Sequence, residues 1–449
     1  MLRYLILFVC GLTLLAGCGG GGGDTSVTSL VCKTSNCSTT GPEVNLPYAF
    51  AQQANNLPVV VDGGPDTSSF GGNANMLYAT VTVCAPGDPI KCQTIDHVLV
   101  DTGSFGLRIL ASKVKQLGLP PVDLSPNSQA PIWECLQFVI GGLWGAIVRA
   151  DVGLGQQWAT NIPVQLIQDD SSAPIQATND CLTGSNNQVL SSASQLGANG
   201  ILGIGSVDVD CGSQCDTGGN SSGFVRYYSC PLGASSSLAC TPTAVHLNYQ
   251  VQNPVYALPN GYNNGVVLAL PSVTGLGAGV VHGELILGVD SLPNNTLGSS
   301  ATRINLGTNP NSASYLSITT QFGGKTYLDS YLDTGTNGLF FDSPTAIDKC
   351  LPWYCPKSQL SFSAILSDGD IPSQNQVTVS FNVGTGITLP TYYAFGDLAG
   401  PQPTNAVTSS AAFSTFAWGL PFFYGKRVAL SIWDLSSGSA GPWYSWSSL

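Results

Sequence analysis

Apolar and polar residues alternate in short runs along most of the chain, and Gly, Pro and Asn separate the runs. Clear examples are "MLYATVTVC", "GAIVRADVGLG", "QVTVSFNVG" and "RVALSIWD". A period of two between turn residues is typical of half-buried β-strands. The pattern therefore predicts an all-β protein. Few stretches have helical spacing, and the best two are Ala111–Leu117 and Ser343–Lys349.

One region breaks this pattern. Residues 205 to 264 are rich in Cys, Gly, Ser and Asn and have weak periodicity. Long stretches of this composition are typical of irregular surface insertions. We expect a disulfide-stapled insertion here rather than part of a sheet.

The N-terminus predicts export. Arg3 precedes an apolar run, Leu5–Leu15, and the sequence Leu-Ala-Gly-Cys then ends at Cys18. This tetrapeptide resembles the bacterial lipobox, in which the Cys becomes the lipidated first residue. The alternative is an ordinary secretory signal, with Cys18 discarded or unmodified.

If the tetrapeptide is a lipobox, residues 1–17 are a signal peptide and residues 18–45 are an anchor Cys with a flexible linker. No later stretch is apolar enough to span a bilayer, so we expect contact with a membrane only through the lipid. Gly19 stands where Asp is associated with inner-membrane retention. The expected location is the bacterial cell envelope, at the outer membrane facing the periplasm.

The cysteines predict disulfides. Of fourteen, Cys10 lies in the signal and Cys18 at the anchor, and an even number in an exported chain indicates paired thiols. Proximity and elimination suggest the pairs Cys32–Cys37, Cys84–Cys92, Cys350–Cys355 and Cys135–Cys181. The remaining four, Cys211, Cys215, Cys230 and Cys240, allow three connectivities. Zinc is the competing interpretation, but the chain has 3 His and none at ligand spacing from these cysteines, so we expect no metal.

Charge narrows the range of partners. Only 9% of residues are charged and the formal net charge is −12. Nucleic acids and anionic lipid surfaces bind clustered Lys and Arg. We therefore expect neither as a partner.

The candidate chemistry lies in a repeated motif. "HVLVDTGSFGL" contains Asp101, and "SYLDTGTNGL" repeats the arrangement with Asp333, 232 residues later. A single Asp-Thr-Gly is a common turn. Two copies with apolar lead-ins, separated by the length of a domain, indicate two related halves with one carboxylate each.

Two such turns that meet about a pseudo-two-fold axis would place the carboxylates side by side. Like charges at that distance cannot both ionise, so the pair would share a proton. One group could then activate a water as general base while the other polarises a carbonyl. This chemistry needs no metal, cofactor or covalent intermediate.

The two Asp-Thr-Gly motifs resemble those of the pepsin-like aspartic proteases. The segments "NGILGIG", "GELILGVDS" and "AWGLPFFYGKRVALSIWD" are similar to that family's bracing and interlobe elements, in the same order, and the likeness covers roughly residues 46 to 434. The resemblance implies a bilobal all-β architecture with pseudo-two-fold symmetry, few short helices, an N-terminal lobe of residues 46–278 and a C-terminal lobe of residues 279–449. The lipobox, "CQTIDHVLVDTGSFGLR" and "WGLPFFYGKRV" also resemble a family of bacterial exported proteins of undefined function.

The resemblance also implies roles for individual residues. It implies an aspartic endopeptidase that acts on peptides or proteins, with Asp101 and Asp333 as the catalytic dyad. The supporting residues that it implies are Thr102 and Thr334 as cross-linking hydroxyls beneath the dyad, Gly103 and Gly335 as turn glycines, and Ser104 and Thr336 as hydroxyls bonding the outer carboxylate oxygens.

The sequence departs from the family at two places. The flap stretch "LQFVIGGLWGA" has no Tyr, so Phe138 and Trp144 are the flap candidates, although both could belong to the core. Trp418 and Gly419 stand where the family usually has a Gly-Asp pair. A Cys135–Cys181 disulfide would restrict the flap. These departures keep open a second function, a non-catalytic binding or structural lipoprotein on the same scaffold.

His97, four residues before Asp101, is interpreted as a strand residue rather than a catalytic base. With only 3 His in the chain, a serine hydrolase has little support.

Overall fold

The computed structural model describes most of the chain. The described residues are 41–48, 53–65, 73–123, 130–138, 141–173, 175–178, 181, 188–216, 225–234, 236–274, 276–298, 300–310, 312–350, 352–386, 392–402, 415–433 and 441–449.

Strands dominate these residues. They are β1 (Glu43–Val44), β2 (Asn56–Val61), β3 (Leu77–Cys84), β4 (Cys92–Asp101), β5 (Phe105–Leu110), β6 (Ile132–Gln137), β7 (Gly142–Leu154), β8 (Gln157–Ile167), β9 (Gly200–Ile204), β10 (Val225–Ser229), β11 (Thr241–Pro242), β12 (Gly265–Leu270), β13 (Val280–Leu287), β14 (Thr302–Asn305), β15 (Ile318–Phe322), β16 (Lys325–Leu332), β17 (Leu339–Phe340), β18 (Lys349–Cys350), β19 (Trp353–Tyr354), β20 (Leu360–Ser367), β21 (Val377–Val383), β22 (Ala399–Gly400), β23 (Thr415–Trp418), β24 (Lys426–Ser431) and β25 (Trp443–Ser448).

Helices are few and short. The α-helices of the described residues are α1 (Ala111–Val114) and α2 (Ala193–Leu196). Single 3₁₀ turns span Lys115–Leu117, Gly212–Cys215, Ser237–Ala239, Leu247–Tyr249, Pro293–Asn295 and Leu420–Phe422.

The alternation of the sequence produces the strands as predicted. In β21, for example, Val379, Phe381 and Val383 are buried while Ser380 and Asn382 between them are exposed. Successive side chains of a strand point to opposite faces, so this spacing puts the apolar residues into the core. The all-β class is confirmed.

The two helix predictions had different outcomes. The first is confirmed, because α1 and the 3₁₀ turn that follows span Ala111–Leu117. The second, over Ser343–Lys349, is wrong. Lys349 and Cys350 form β18, which pairs with β19 in a hairpin closed by the Cys350–Cys355 disulfide. That hairpin requires extended backbone at Lys349.

The two Asp motifs sit in two copies of one strand arrangement. In the first copy β4 pairs with β9 in parallel, β9 pairs with β5 antiparallel, and β5 pairs with β8 in parallel. The second copy repeats this order with β16, β23, β17 and β22. The residue before each Asp has an equivalent partner, Leu202 for Val100 and Trp418 for Leu332. The bilobal, pseudo-two-fold architecture is therefore confirmed.

The sheet that contains the first copy extends beyond it, whereas the second copy lies in a separate seven-stranded sheet. Strand β13 pairs antiparallel with β2 on one side and β12 on the other, and β12 continues through β24 to β25. The expected lobe boundary, between residues 278 and 279, lies just before β13. The exact boundary stays a prediction.

The insertion at residues 205–264 differs from the expectation in one respect. It is stapled by disulfides, Cys211–Cys215 and Cys230–Cys240, which settles the connectivity that the sequence left open. It is not separate from the sheet, however, because β10 pairs with β6 over five residues. Val225 and Tyr227 are buried there, and this apolar area is what holds the insertion against the sheet.

Five disulfides join described residues. Cys84–Cys92, Cys135–Cys181 and Cys350–Cys355 are confirmed. Cys18, Cys32 and Cys37 lie outside the described residues. Disulfides persist in oxidising compartments, so this content indicates an exported, non-cytoplasmic protein. None of the helices in the described ranges is long and apolar enough to cross a membrane.

Candidate active site

The two candidate carboxylates lie at the ends of equivalent strands. Asp101 is the last residue of β4 and Asp333 follows β16 directly. Both side chains are 0% exposed. The apolar residues that precede them bury each strand up to the turn, which is why a charged group reaches the interior of the protein.

The two threonines of the motifs hold the turns together by reciprocal hydrogen bonds. The Thr102 N–H donates to Thr334 Oγ1 over 3.1 Å, and the Thr334 N–H donates to Thr102 Oγ1 over 3.0 Å. Each hydroxyl then donates into the opposite strand, Thr102 to the Leu332 carbonyl at 3.1 Å and Thr334 to the Val100 carbonyl at 2.7 Å. The cross-linking role expected of both threonines matches this geometry.

Each carboxylate is held by its own turn in the same way. The N–H of Gly103 donates to Asp101 Oδ1 at 2.8 Å, and the N–H of Gly335 donates to Asp333 Oδ1 at 2.7 Å. The outer oxygens accept from hydroxyls, Ser104 Oγ to Asp101 Oδ2 and Thr336 Oγ1 to Asp333 Oδ2 at 2.6 Å.

Gly103 allows the two turns to meet. A Cβ at this position would lie 2.6 Å from Asp333 Cγ, closer than side-chain atoms approach one another. A larger residue would therefore separate the carboxylates.

Burial raises the pKa of both acids, and repulsion adds to the rise at Asp101. Desolvation raises the pKa of Asp101 well above its ordinary value, and the nearby charge of Asp333 raises it further, while the bonds from Ser104 and Gly103 lower it. Desolvation also raises the pKa of Asp333, against the bond from Thr336. Two buried acids in contact titrate as a pair and retain one proton over a range of pH where free carboxyls are ionised.

The unusual second bracing element preserves the support for Asp333. The Asp333 N–H donates to the Trp418 carbonyl at 2.9 Å, and the Leu420 N–H donates to the Thr336 carbonyl at 2.7 Å. Gly419 is needed here, because a Cβ would lie 2.2 Å from the Gly338 carbonyl oxygen. The Trp-Gly pair thus supplies, at its second position, a glycine on which the close packing of the second turn depends.

The two flap candidates occupy different surroundings in the β6–β7 hairpin. Phe138 lies just after β6, where its N–H donates to the Gly141 carbonyl at 2.8 Å. Trp144 packs between Trp133 and Tyr228, with ring centroids 5.4 and 5.1 Å away. Both side chains are buried, and Trp144 belongs to an aromatic cluster beside the Cys135–Cys181 disulfide. Both candidates therefore pack into core clusters, and a flap role for either stays a prediction.

A buried ionic group supports the first turn and was not found from the sequence. Arg108 Nη1 donates to the Phe105 carbonyl at 2.6 Å, one residue after Ser104. Its Nη2 donates to Glu134 Oε1 and Asp210 Oδ2, each at 2.7 Å. Glu134 lies on β6 and Asp210 lies in the insertion. We call Arg108, Glu134 and Asp210 the buried triad.

The buried triad contains two carboxyl groups but only one cation, Arg108. Burial and the neighbouring charge of Glu134 raise the pKa of Asp210 well above its ordinary value. Tyr227 donates to Asp210 Oδ1 at 2.7 Å and ties β10 to the same point. The triad therefore links the first turn, the β6–β7 hairpin and the insertion.

Asn75 supports the second turn and was also missed. Its Nδ2 donates to the Asn337 and Phe395 carbonyls, both at 2.9 Å, and its Oδ1 accepts from the Phe395 N–H at 2.8 Å and the Tyr424 hydroxyl at 2.9 Å. Asn337 follows Thr336, so a residue of the first half fixes the loop that carries Asp333. No local pattern around Asn75 signals this contact.

His97 lies within β4 as expected. Its ring nitrogens contact Asp96 and Asp62 at 2.9 and 3.2 Å. Among the described residues no group of three or more His, Cys, Asp or Glu side chains could hold a metal ion.

Comparison with known proteins identifies a family and a distant structural similarity. Residues 51–446 match a family described as "Protein of unknown function (DUF3443)". No curated protein matches the chain. Among solved structures, an aspartic proteinase from Irpex lacteus is similar with 13% identity and a TM-score of 0.43, over 88% of this chain and 96% of that one.

Proposed function

We propose that this chain, which belongs to the DUF3443 family, is an aspartic-type endopeptidase. Asp101 and Asp333 would activate a water molecule to hydrolyse peptide bonds between the two lobes. The proposal rests chiefly on one observation, the symmetric hydrogen bonding that holds two buried carboxyls against each other.

A purely structural role does not explain why two carboxyls are buried side by side. Burying a carboxyl costs free energy, and burying a second beside it adds repulsion. The four threonine bonds and the two glycine N–H bonds fix that unfavourable pair in place. Perturbed acids held together in this way are typical of functional sites.

The mechanism follows from the single proton of the pair. The ionised carboxylate removes a proton from water, whose oxygen forms a bond to the carbonyl carbon of the peptide. The protonated carboxyl donates to the carbonyl oxygen, and a tetrahedral diol results. The carboxyl that took the proton from water then gives a proton to the amide nitrogen. The C–N bond breaks as a hydroxyl of the diol returns a proton to the pair, which gives a carboxylic acid and an amine and leaves one carboxyl protonated again.

A non-catalytic binding or structural protein is the second candidate. The observation that favours it is the flap, where both aromatic candidates are buried and neither carries a hydroxyl. Under this hypothesis the folded protein would bind peptides without cleaving them at any pH.

We expect cleavage to be fastest in acid. Activity requires one proton on the pair, so it should fall as the pH rises through the upper apparent pKa of the dyad. A profile of kcat/KM between about pH 3 and 9 measures this, and an optimum above about pH 8 would contradict a shared proton.

The free energy of unfolding should also be higher in acid and fall as the pH rises. Because burial raises the pKa of Asp101, the folded protein keeps a proton that the unfolded chain releases above about pH 4. The stabilisation linked to that proton is present in acid and is lost as the pH rises through the folded-state pKa.

We further propose that Cys18 carries a lipid and anchors the protein in the outer membrane of a bacterial envelope, facing the periplasm. The support is the signal-like N-terminus and the disulfide content. Intact-mass measurement of the protein from membranes should show an acylated Cys18 as first residue. A mature chain that starts elsewhere, or carries a free Cys18, would rule the anchor out.

A further inference from the structure

A cavity that neither Asp101 nor Asp333 lines lies in the C-terminal half. It has a volume of about 220 Å³ and lies between the segment after β12, strand β21 and the residues from Trp418 to Lys426. Phe381, Trp418 and Phe422 supply apolar walls, and all three are buried. Ser272 and Ser380 line it as well and are exposed, so the rim is polar.

Lys426 brings a positive charge into this cavity. Its Nζ donates to the Phe422 carbonyl at 2.7 Å and lies 4.8 Å from the centroid of the Phe422 ring. An ammonium has three donors, and this carbonyl takes one.

No described carboxylate balances that charge. Burial alone lowers the pKa of Lys426 to about 8, with no contribution from a neighbouring acid. Lys325 and Arg427, by contrast, each have a carboxylate within 4.0 Å. A partly desolvated cation without a counter-ion is unfavourable, and an anion that enters the cavity would relieve it.

We propose that the cavity around Lys426 binds a small carboxylate attached to an apolar group. The carboxylate pairs with the ammonium, and the apolar group packs on Phe381, Trp418 and Phe422. The volume is below the roughly 300–1,000 Å³ of sites for drug-sized ligands, so the ligand is of about the size of an arylacetic acid. Such a group is found on a free organic acid and at the C-terminus of a peptide that ends in an aromatic residue.

The proposal does not depend on peptidase activity. Trp418 lines the cavity, and its carbonyl accepts a hydrogen bond from the Asp333 N–H. Binding at Lys426 can be measured in an inactive dyad variant, which keeps the two hypotheses experimentally separate.

Titration calorimetry of the full chain at about pH 6.5, where the ammonium is charged, tests the site. The probes are phenylacetate, the tripeptide Gly-Gly-Phe and the neutral phenylacetamide. At least one of the two carboxylates should bind, and phenylacetamide should bind about tenfold more weakly or not at all. Which carboxylate binds distinguishes the free acid from the peptide terminus.

Lys426→Met retains the length of the side chain and removes the charge. It should weaken carboxylate binding about tenfold or more, whereas Lys325→Met, at an exposed lysine, should leave it unchanged. Binding of neither carboxylate, or equal binding by Lys426→Met, would overturn the proposal and leave Lys426 as a cap of the Leu420–Phe422 turn.

A measurement on the unmodified sequence covers the case in which Lys426→Met fails to fold. An amine with a lowered pKa reacts readily with an acylating reagent such as an acetyl ester at about pH 8. Saturating carboxylate should protect Lys426 from acetylation severalfold, as read by peptide mass spectrometry, and leave Lys325 unprotected. Equal labelling of Lys426 with and without the carboxylate would contradict the site.

Discussion

Asp101→Asn and Asp333→Asn are each expected to lower peptide cleavage about 10³-fold or more, because neither variant can hold one proton between two carboxyls. The turns should survive the change. The amide oxygen of Asn can still accept from Gly103 or Gly335, and the threonine bonds do not involve the carboxylates.

The stability of these variants separates catalysis from folding. A neutral amide removes the repulsion that raises the pKa of Asp101, so we expect unfolding free energies at about pH 7 equal to or higher than that of the wild type. Asp342→Asn, at an exposed Asp soon after the second motif, is the matched control and should cleave normally. Retained cleavage in either dyad variant would remove the mechanism.

Arg108→Met should have the largest effect on stability, a loss of about 3–5 kcal/mol in the free energy of unfolding. It leaves Glu134 and Asp210 buried without their cation and removes the bond to the Phe105 carbonyl. Because that carbonyl follows Ser104, any variant protein that still folds should also cleave peptides more slowly.

Arg149→Met is the control for this prediction. Arg149 lies on β7 and donates to the Asn161 and Asn248 carbonyls, both at 3.0 Å, at an exposed position. Its loss should cost less than about 1 kcal/mol. Denaturant unfolding of both variants at neutral pH decides the matter, and a loss below about 1 kcal/mol for Arg108→Met would show that the triad is not a structural centre.

The strands and the dyad could be predicted because their signals are local. A period of two identifies a half-buried strand within a few residues, and each Asp motif is contiguous. The resemblance between the halves then placed Asp101 and Asp333 together, and the structure brings all eight motif residues to one site.

The supporting contacts could not be predicted, since each joins residues far apart in the chain. Arg108 meets Glu134 and Asp210 across 26 and 102 positions, and Asn75 reaches Asn337 across 262. No composition or spacing within a window encodes such pairs. Strand β10 was missed for a different reason. It has five residues within a glycine-rich stretch, which are too few to show a clear period of two.

The most direct test of the dyad mechanism is digestion of a diverse peptide mixture in ¹⁸O-labelled water, with the wild type and Asp101→Asn compared side by side at acidic pH. We predict that the wild type produces new peptide ends, each new C-terminal carboxylate carrying one labelled oxygen, and that Asp101→Asn produces none. No cleavage by the folded wild type between about pH 3 and 7, or equal cleavage by Asp101→Asn, would contradict it.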